Sequence, residues 1–254
     1  MSVIGIVSMK GGVGKTSTTA NLATALAAIL GAGRVSVLDL DPQNGLHWHF
    51  GLCDSHLPGA CEESLEKGDW QAIAHTSEFG VSCLPYGNVS EADREDFETL
   101  LAQQPNWVGD QLDRAGLDQN ALVLIDTPPG PSVYLKQVFA CADLILVVLL
   151  ADAGSYATIP AMETWRGEMA ETRPGLSVYY VLNQVDRREI LNRDTAALLH
   201  QQLKQCIAPV DIHADDTVGE ALAFQQPVVV YAPQGKASQD LKKLAAWVID
   251  TLNQ

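Results

Sequence analysis

Short apolar runs alternate with longer segments of helical character along the chain. Runs rich in β-branched and aliphatic residues are predicted to be strands at residues 3–7, 35–38, 81–84, 121–125, 144–150, 178–182 and 228–231. Helices are predicted at residues 16–30, 155–171, 189–206, 217–225 and 238–252. Several strand runs are apolar throughout, which is typical of parallel strands that helices cover on both faces. The pattern therefore predicts an α/β fold with a doubly wound, mostly parallel sheet flanked by helices.

The length and composition fit one folded unit. A chain of 254 residues with 47% hydrophobic content can bury a sizeable core, and α/β proteins of this size are commonly one domain. No internal repeat or low-complexity linker suggests a boundary. We expect a single domain over residues 1–254, with an irregular, insertion-like region at about residues 50–80.

The charge balance and the cysteines narrow the possible partners and compartments. The 31 acidic and 16 basic residues give a formal charge of −15, which opposes broad contact with nucleic acid or a bare anionic membrane. The five cysteines are widely spaced and form no C-x-x-C pair, which fits a reducing compartment. The longest apolar run, residues 142–151, is far shorter than the roughly 20 residues that cross a bilayer. We therefore expect a cytoplasmic protein without autonomous membrane insertion and without direct DNA binding.

The strongest chemical signal is the segment K-G-G-V-G-K-T at residues 10–16, between the first predicted strand and the first predicted helix. Glycines let the backbone aim its N–H groups at phosphate oxygens, and the helix start adds the positive end of its dipole. Lys15 is expected to contact the β- and γ-phosphates of a nucleoside triphosphate, and the Thr16 hydroxyl to ligate Mg²⁺. The predicted nucleotide-binding residues here are Gly11, Gly12, Val13, Gly14, Lys15, Thr16 and Ser17. The alternative is a glycine-rich turn without a ligand.

Three aspartates follow predicted strands, at the sheet edge where open α/β folds bind ligands. Asp39 and Asp41 come after the second strand, and Asp126 ends the fourth. Asp126 is expected to hold Mg²⁺ through water, and the Pro-Pro-Gly segment at residues 128–130 to sense the γ-phosphate as a switch. The alternatives are that Asp39 or Asp41 caps the next helix and that residues 126–130 form a plain turn.

Together these motifs resemble the deviant Walker A ATPases, a family that includes MinD, ParA and the nitrogenase iron protein. The first similar feature is Lys10 before the double glycine, and the second is the run L-D-L-D-P-Q at residues 38–43. Asp126 with its two prolines and the run L-N-Q at residues 182–184 complete the set. The resemblance covers nearly the whole chain and implies an ATPase with ATP and Mg²⁺ as its cofactors.

The resemblance also implies roles for individual residues. In the family, two subunits form a homodimer around ATP, and the lysine that matches Lys10 reaches the phosphates of the partner. Asp41 matches the residue that orients the attacking water, Asp39 would support the metal, and Asn183 matches the adenine-facing position. No guanine-reading N-K-x-D stretch is present, because Gln184 takes the place of its lysine, and ATP is therefore favoured over GTP.

Outside the nucleotide site the chain is similar to a narrower group, the cellulose-synthesis accessory ATPases called BcsQ. The similar segments are residues 68–70, 84–87, 220–221 and 226–228. This resemblance implies a cytoplasmic protein that acts with accessory proteins of the cellulose synthase at the inner membrane, recruited there or to the cell pole by its partners. It implies a switch that hydrolyses ATP slowly, and the intact Lys15–Thr16 pair is compatible with hydrolysis.

Three rival functions share this fold. A DNA partition ATPase would carry basic residues at residues 212–220, but this stretch is acidic. A division-site ATPase similar to MinD would need an amphipathic tail on lipid, whereas residues 238–252 are predicted to be the final core helix. An iron–sulfur reductase would need cluster-binding cysteines, and only Cys141 lies near a suitable region. Partition or positioning at a pole or division site is the main alternative function.

His47 and His49 flank Trp48 shortly after Asp41 and suggest a metal pair. At a spacing of two residues they face different ways, and no cysteine or carboxylate cluster accompanies them. We expect surface or packing roles for both, with contact at the dimer interface or with a partner as the alternative.

Overall fold

The computed structural model describes residues 1–53, 57–66, 68–115, 121–170 and 173–253. The strands are β1 (Ser2–Val7), β2 (Val35–Asp39), β3 (His75–Thr76), β4 (Val81–Leu84), β5 (Leu122–Asp126), β6 (Leu144–Leu150) and β7 (Ser177–Asn183). The α-helices are α1 (Lys15–Leu30), α2 (Ala60–Glu66), α3 (Glu91–Gln103), α4 (Trp107–Arg114), α5 (Val133–Cys141), α6 (Ala153–Ala170), α7 (Ile190–Leu203), α8 (Thr217–Ala223), α9 (Val228–Tyr231) and α10 (Lys236–Leu252). The predicted helix end at Glu171 lies outside the described residues.

The described strands form one sheet in the order β3-β4-β2-β5-β1-β6-β7. Strand β3 is antiparallel to β4, and the other neighbouring strands are parallel. One apolar cluster joins the sheet to helices α2 to α7, and a second joins it to α1, α8, α9 and α10. Because helices cover both faces, β1, β5 and β6 are almost entirely buried, and they are apolar except for Ser2 at the start of β1, Gly5 within it and Asp126 at the end of β5. The structure confirms the predicted doubly wound, mostly parallel sheet.

The strand order also explains where a ligand site can form. Strand β5 lies between β2 and β1, so the carboxyl ends of these three strands are neighbours. In the register, Asp39 of β2 and Ile6 of β1 both stand opposite Asp126 of β5. The loop after β1, the turn after β2 and the segment after β5 therefore start from the same edge of the sheet.

One strand prediction is wrong: residues 228–231 form the short helix α9. Pro227 precedes this turn, and its carbonyl accepts the N–H of Tyr231 at 3.0 Å. Val228 and Val229 are buried in the apolar cluster that contains α1. A β-branched run of four residues does not distinguish a strand from a buried helical turn, and here the packing decides in favour of the turn.

The region predicted to be irregular, about residues 50–80, contains short elements in its described part. These are α2, the 3-10 helix Trp70–Ile73 and the edge strand β3. Cys61 and Trp70 are buried in the same apolar cluster as α3, α4 and α5, and Trp70 Nε1 donates to Ser64 Oγ at 3.2 Å. The division of the chain into domains stays a prediction. Among the described helices, none has the length and apolar character needed to span a membrane.

Candidate nucleotide-binding site

The glycine-rich loop joins the end of β1 to the start of α1. Gly12 and Gly14 have φ angles of 73° and 82°, a left-handed conformation that glycine adopts without strain. At Gly14 a side chain is excluded as well, since a Cβ there would lie 2.4 Å from Nδ2 of Asn183. Gly14 precedes α1 and provides no capping side chain, so the first N–H groups of the helix remain available to an anion. The loop and the helix start together form a phosphate-sized cradle of backbone donors.

Lys15 and Thr16 form the first turn of α1 and meet the end of β5. Lys15 is buried, at 6% exposure. The Thr16 hydroxyl donates a 2.7 Å hydrogen bond to Oδ2 of Asp126, and the Thr19 hydroxyl lies 3.1 Å from Oδ1. The structure thus brings together the predicted phosphate lysine, the predicted magnesium hydroxyl and the predicted magnesium carboxylate.

Asp39 and Asp126 form a buried acid pair at the ends of neighbouring strands. They stand opposite each other in the β2–β5 register, and both are 0% exposed. Burial raises the pKa of Asp39 well above its ordinary value, and the charge of Asp126 raises it further, against two backbone N–H groups that lower it. Burial raises the pKa of Asp126 to about 6, although the charge of Lys15 and the Thr16 hydroxyl bond oppose this. Ionising this pair is therefore costly in the protein alone.

The groups at this edge fit a magnesium ion that is bound together with phosphates. A divalent cation nearby would favour the charged forms of two carboxylates whose pKa values burial raises. Within the described residues, no group of three or more His, Cys, Asp or Glu side chains could hold a metal ion. Mg²⁺ usually completes its octahedral shell with water and substrate phosphates. One hydroxyl and two carboxylates therefore suit a magnesium nucleotide better than a metal held by protein ligands alone.

Asp41 lies in the turn after β2 and is partly exposed. Its backbone N–H donates to Oδ1 of Asp39 at 2.9 Å, and its own Oδ1 accepts the N–H of Gln43 at 3.0 Å. Oδ2 of Asp39 accepts the N–H of Leu46, the first residue of a 3-10 helix, at 3.0 Å. Asp39 therefore holds this turn together, in line with the capping alternative, and Asp41 is the more accessible carboxylate.

Lys10, the additional lysine of the loop, pairs with Asp152 of the same chain. Its Nζ lies 2.6 Å from Oδ2 of Asp152, and the two side chains are 36% and 38% exposed. Partial burial tends to raise the pKa of Asp152, but the hydrogen bonds from Lys10 and Ser155 outweigh it and lower the pKa. Asp152 is not among the residues predicted from the sequence, where its only signal is its position just after a strand. Lys10 is thus engaged on the surface beside the loop.

A cavity of about 370 Å³ opens beside the loop and α1, within the range of about 300–1,000 Å³ that is typical of small-molecule sites. Gly14, Ser17, Asn183 and residues 212–216 and 218–219 contribute to its lining. Asn183 ends β7, and its Nδ2 donates to the carbonyl oxygen of Val13 at 2.8 Å. In the sequence, residues 212–220 bear only on possible DNA contact. The structure places most of that stretch around the cavity, next to the predicted base-facing asparagine.

The proline-rich segment after Asp126 contacts the phosphate loop. The N–H of Gly130, which has a φ of 84°, donates to the carbonyl oxygen of Ser8 at 2.8 Å. A Cβ on Gly11 would lie 3.8 Å from Cγ of Pro129, which is ordinary van der Waals contact. The segment can therefore respond to a change in the loop, and its action as a switch stays a prediction.

The histidines and the cysteine considered as metal ligands are packed side chains. His47 and His49 are each 4% exposed, whereas Trp48 between them is 44% exposed. Nδ1 of His47 lies 2.5 Å from the carbonyl oxygen of Leu52, and burial lowers the pKa of His49 to about 4. Cys141 packs against an apolar cluster, and burial raises its pKa to about 12. These contacts agree with the packing interpretation.

Comparison with known proteins identifies relatives over almost the full length of the chain. The family model of the cellulose biosynthesis protein BcsQ matches residues 1–249. The BcsQ of Salmonella typhimurium strain LT2 is 27% identical, and that of Escherichia coli K12 is 28% identical. Each alignment covers 98% of this chain and 94% of the relative. The chromosome partitioning protein ParA of Caulobacter vibrioides is 29% identical with the same coverage.

Solved structures share the fold. The septum site-determining protein MinD of Pyrococcus horikoshii, complexed with Mg-ADP, has a TM-score of 0.75 and 22% identity, covering 97% of this chain and 95% of its own. Cobyrinic acid a,c-diamide synthase of Mycobacterium smegmatis, with bound ADP and magnesium, has a TM-score of 0.80 and 20% identity, covering 100% and 96%. At these identities the likeness shows the fold alone. Because the family model spans residues 1–249, the chain belongs to the BcsQ family of cellulose biosynthesis proteins.

Proposed function

We propose that this protein is an ATP-dependent dimerisation switch that regulates or localises a bacterial cellulose synthase complex through protein partners. The observation that carries the proposal is the different placement of two lysines in one loop. Lys15 is buried at the start of α1, whereas Lys10 is paired at the surface with its side chain 36% exposed. One lysine is placed for the nucleotide of its own subunit, and the other is accessible to a second subunit.

The phosphate loop and the acid pair would bind the magnesium nucleotide. Residues 11–17 surround the phosphates, and the charge of Lys15 offsets that of the β- and γ-phosphates. Thr16, Asp126 and Asp39 would hold Mg²⁺, with Asp126 acting through water, and the ion supplies charge neutralisation at the phosphate oxygens when bound. Asn183 would face the base in the adjacent cavity.

Asp41 is the residue we assign to the attacking water, because it is the accessible carboxylate at this edge of the sheet. Phosphoryl transfer requires a positioned water and neutralised charge more than a strong base, so a carboxylate in a short turn suffices. Lys10 of one subunit would reach the phosphates bound by the other and complete the site. Turnover is then slow, and hydrolysis releases the dimer, so the output is a change in partner binding.

Mixing two inactive variants tests whether Lys10 acts across the dimer. Lys10→Ala keeps its own phosphate loop, and Lys15→Ala keeps a normal Lys10, so a mixed dimer contains one complete site. We expect little phosphate release from either variant alone and clear recovery on mixing, to roughly a quarter of the wild-type rate at equal concentrations if dimers form at random. No recovery on mixing, with both variants folded and a mixed dimer detected in the presence of ATP, would show that Lys10 acts within its own subunit.

Size-exclusion chromatography with light scattering tests the switch itself. Asp41→Ala should bind ATP without hydrolysing it and accumulate as a dimer, whereas Lys15→Ala should remain a monomer. The matched control is Asp96→Ala, an exposed carboxylate on α3. A wild-type protein and an Asp41→Ala variant that both stay monomeric under saturating ATP and Mg²⁺ would contradict the proposal.

The cellulose partner is supported by the family and is tested in cells. We propose that the protein is cytoplasmic and that the ATP-bound dimer is recruited to the inner membrane or the cell pole by cellulose synthase accessory proteins. In a cellulose-producing bacterium that lacks its own copy of this gene, the wild-type chain should restore cellulose and the Lys15→Ala variant should not. Equal restoration by both would separate the cellular role from nucleotide binding.

DNA partition is the alternative that the ParA relative favours. The surface argues against it, because exposed arginines after β7 are each paired with a nearby carboxylate. Arg188 lies 2.8 Å from Asp186, Arg187 lies 3.3 Å from Asp211, and an arginine–aspartate pair also occupies residues 193–194. Paired arginines contribute little net positive potential to attract a polyanion. A salt-dependent shift of duplex DNA by micromolar protein would favour partition instead.

Positioning through a lipid-binding helix is the other alternative. The apolar face of α10 is occupied within the fold, because Leu241, Leu244 and Val248 are buried in the cluster that contains α1. A helix whose apolar face packs on its own core cannot also lay that face on lipid. Flotation with liposomes that requires ATP and no partner protein would contradict this assignment.

A further inference from the structure

A histidine–aspartate pair borders the cavity beside the phosphate loop. His213 lines the cavity, and its Nδ1 lies 2.7 Å from Oδ2 of Asp240 in α10. The backbone N–H of His213 donates to the same oxygen at 3.2 Å. The Asp240 side chain is 3% exposed and that of His213 is 19% exposed. A buried group therefore holds the imidazole in place while part of the ring remains accessible.

The contact with Asp240 determines which ring nitrogen carries the proton. A carboxylate oxygen accepts hydrogen bonds, so Nδ1 of the neutral ring is the donor and Nε2 is left as an acceptor. Positive charge lies beside the other carboxylate oxygen, with Nζ of Lys236 at 3.9 Å and of Lys243 at 3.8 Å. Within the described residues, Nε2 of His213 has no hydrogen-bond partner in the protein.

Asn183 supplies a second acceptor to the same cavity. A backbone carbonyl can only accept, so the 2.8 Å contact with Val13 assigns Nδ2 of Asn183 as the donor. The amide oxygen Oδ1 is thereby left over for a ligand. Asp215 and Asp216 also contribute to the lining, and the described residues that line the cavity include no Lys or Arg. Hydroxyl and amide groups elsewhere in the lining can donate, but the side of the cavity that contains His213 offers acceptors and negative charge, and it favours a ligand edge that carries hydrogen-bond donors.

Adenine and hypoxanthine differ in this respect at C6 and at the neighbouring N1, which is an acceptor in adenine and carries an N–H in hypoxanthine; the exocyclic group at C6 is the one considered for this contact. Adenine has an amino group at C6 with two N–H donors, and hypoxanthine has a carbonyl oxygen there. An amino group can satisfy two acceptors at once, whereas a carbonyl oxygen against an acceptor is repelled and leaves that acceptor unpaired. The same cavity is thus expected to distinguish ATP from inosine triphosphate, which differs in this substituent.

We propose that His213, positioned by Asp240, is a specificity-determining residue that accepts a hydrogen bond from the exocyclic amino group of the nucleotide base. This inference rests on the proposed function, because it takes the cavity beside the phosphate loop as the base site. His213 would be a second group, besides Asn183, that recognises the base. The acidic stretch at residues 212–219 would thereby have a role in nucleotide choice.

The competing explanation is that the pair only ties α10 to the segment before α8. A purely structural pair would change the stability of the protein but not its relative affinity for two nucleotides. The ratio of dissociation constants for ATP and inosine triphosphate therefore separates the two explanations, because both ligands share the same phosphates, ribose and ring size.

The test measures both dissociation constants with Mg²⁺ for the full-length protein, using non-hydrolysing Asp41→Ala as the common background. We expect ATP to bind about threefold to tenfold more tightly than inosine triphosphate through this contact, the range for one neutral hydrogen bond. In His213→Phe the ratio should fall toward one, mainly through weaker ATP binding. His213→Gln, which can retain an acceptor, should keep part of the preference.

His200→Phe is the matched control, since Nε2 of His200 pairs with Oδ1 of Asp211 at 2.7 Å and neither residue lines the cavity. Its nucleotide ratio should equal that of the background protein.

Asp240→Asn is the second variant at the site. By loosening the ring of His213, it should lower the ratio even where His213→Phe fails to fold. An unchanged ratio in folded His213→Phe or Asp240→Asn would overturn the inference and leave the proposed function intact. Failure of the background protein to bind either nucleotide would instead overturn the proposed function.

Discussion

Neutralising one member of the buried acid pair should stabilise the nucleotide-free protein. Asp126→Asn keeps the shape of the side chain and removes its charge. Burial raises the pKa of Asp126 from 3.8 to about 6, which is above its value in the unfolded chain. The favourable contribution of the protonated carboxyl is therefore fully present below pH 3.8 and is lost as the pH rises through about 6.

The pKa difference sets the size of the effect. At about 1.4 kcal/mol for each tenfold change in proton affinity, ionised Asp126 costs the folded state about 3 kcal/mol at pH 8. At pH 5 the cost is about half as large, because the unfolded chain is ionised there and the folded protein is mostly protonated. For a chain of this length the pH 8 value corresponds to a melting temperature about 6–12 °C higher in Asp126→Asn. Relief of the charge repulsion on Asp39 acts in the same direction.

Urea unfolding without nucleotide, at pH 5 and pH 8, measures the effect directly. The difference between Asp126→Asn and wild type cancels the titration of groups that both proteins share, and it should be about twice as large at pH 8 as at pH 5. Asp96→Asn, an exposed carboxylate on α3, is the charge control and should change stability little at either pH. A variant no more stable than wild type at pH 8, or a difference that is the same at both pH values, would refute the reasoning.

Two further predictions concern residues next to the loop. Burial lowers the pKa of His49 to about 4, so the stability contributed by its neutral ring is present above pH 6.5 and is lost as the pH falls toward 4. Because of this residue, the unfolding free energy of wild type should fall by about 2 kcal/mol between pH 7 and pH 5. In urea unfolding, His49→Leu should not show that part of the decrease. Gly14→Ala should weaken ATP binding at least tenfold in calorimetric titration, because its φ is 82° and the new Cβ would lie 2.4 Å from Nδ2 of Asn183. Gly33→Ala, outside the site, is the control for the backbone strain alone, at about 1 kcal/mol, since its φ is 77° and no atom lies within 4 Å of its Cβ position.

The parts of the site that the sequence predicted are those in which neighbouring residues carry the chemistry. Lys15 and Thr16 follow directly from the loop, and Asp39 and Asp126 follow from the ends of apolar strands, because parallel strands meet at one edge. The register that places the two acids opposite each other depends on the order of β2 and β5, which no local pattern encodes. Their raised pKa values are likewise a result of packing.

The helices α3, α4 and α5 were not predicted, although two of them begin with recognisable signals. Ser90 and Asp93 form a reciprocal capping box at the start of α3, and the Ser132 hydroxyl accepts the N–H of Leu135 at the start of α5. In α3 the buried apolar residues are few, with Phe97 and Leu101 as its buried side chains, so its apolar periodicity is weak. Caps were the better indicator there, and apolar runs the weaker one.

Asp152 and His213 could not be found from the sequence, because their importance lies in contacts between distant segments. Asp152 meets Lys10 across 142 positions of the chain, and His213 meets Asp240 of α10. Each is one aspartate or histidine among many, and neither belongs to a motif that the loop predicts. Tertiary structure supplies both pairings, and both lie beside the nucleotide-binding loop.

The charged groups around the loop also suggest how nucleotide binding is coupled to the state of the protein. Ionising the buried side chains of Asp39 and Asp126 costs free energy, which a bound Mg²⁺ would offset. Lys10 is held by Asp152 in an exposed ion pair that contributes at most about 1 kcal/mol to stability. A magnesium nucleotide therefore gains from relieving the acid pair, whereas moving Lys10 to a partner costs little. If so, Mg-ATP should reverse the stability order of wild type and Asp126→Asn, because only wild type can use the ion to offset its buried charge. Loss of function and gain of stability in that variant would then have the same physical origin.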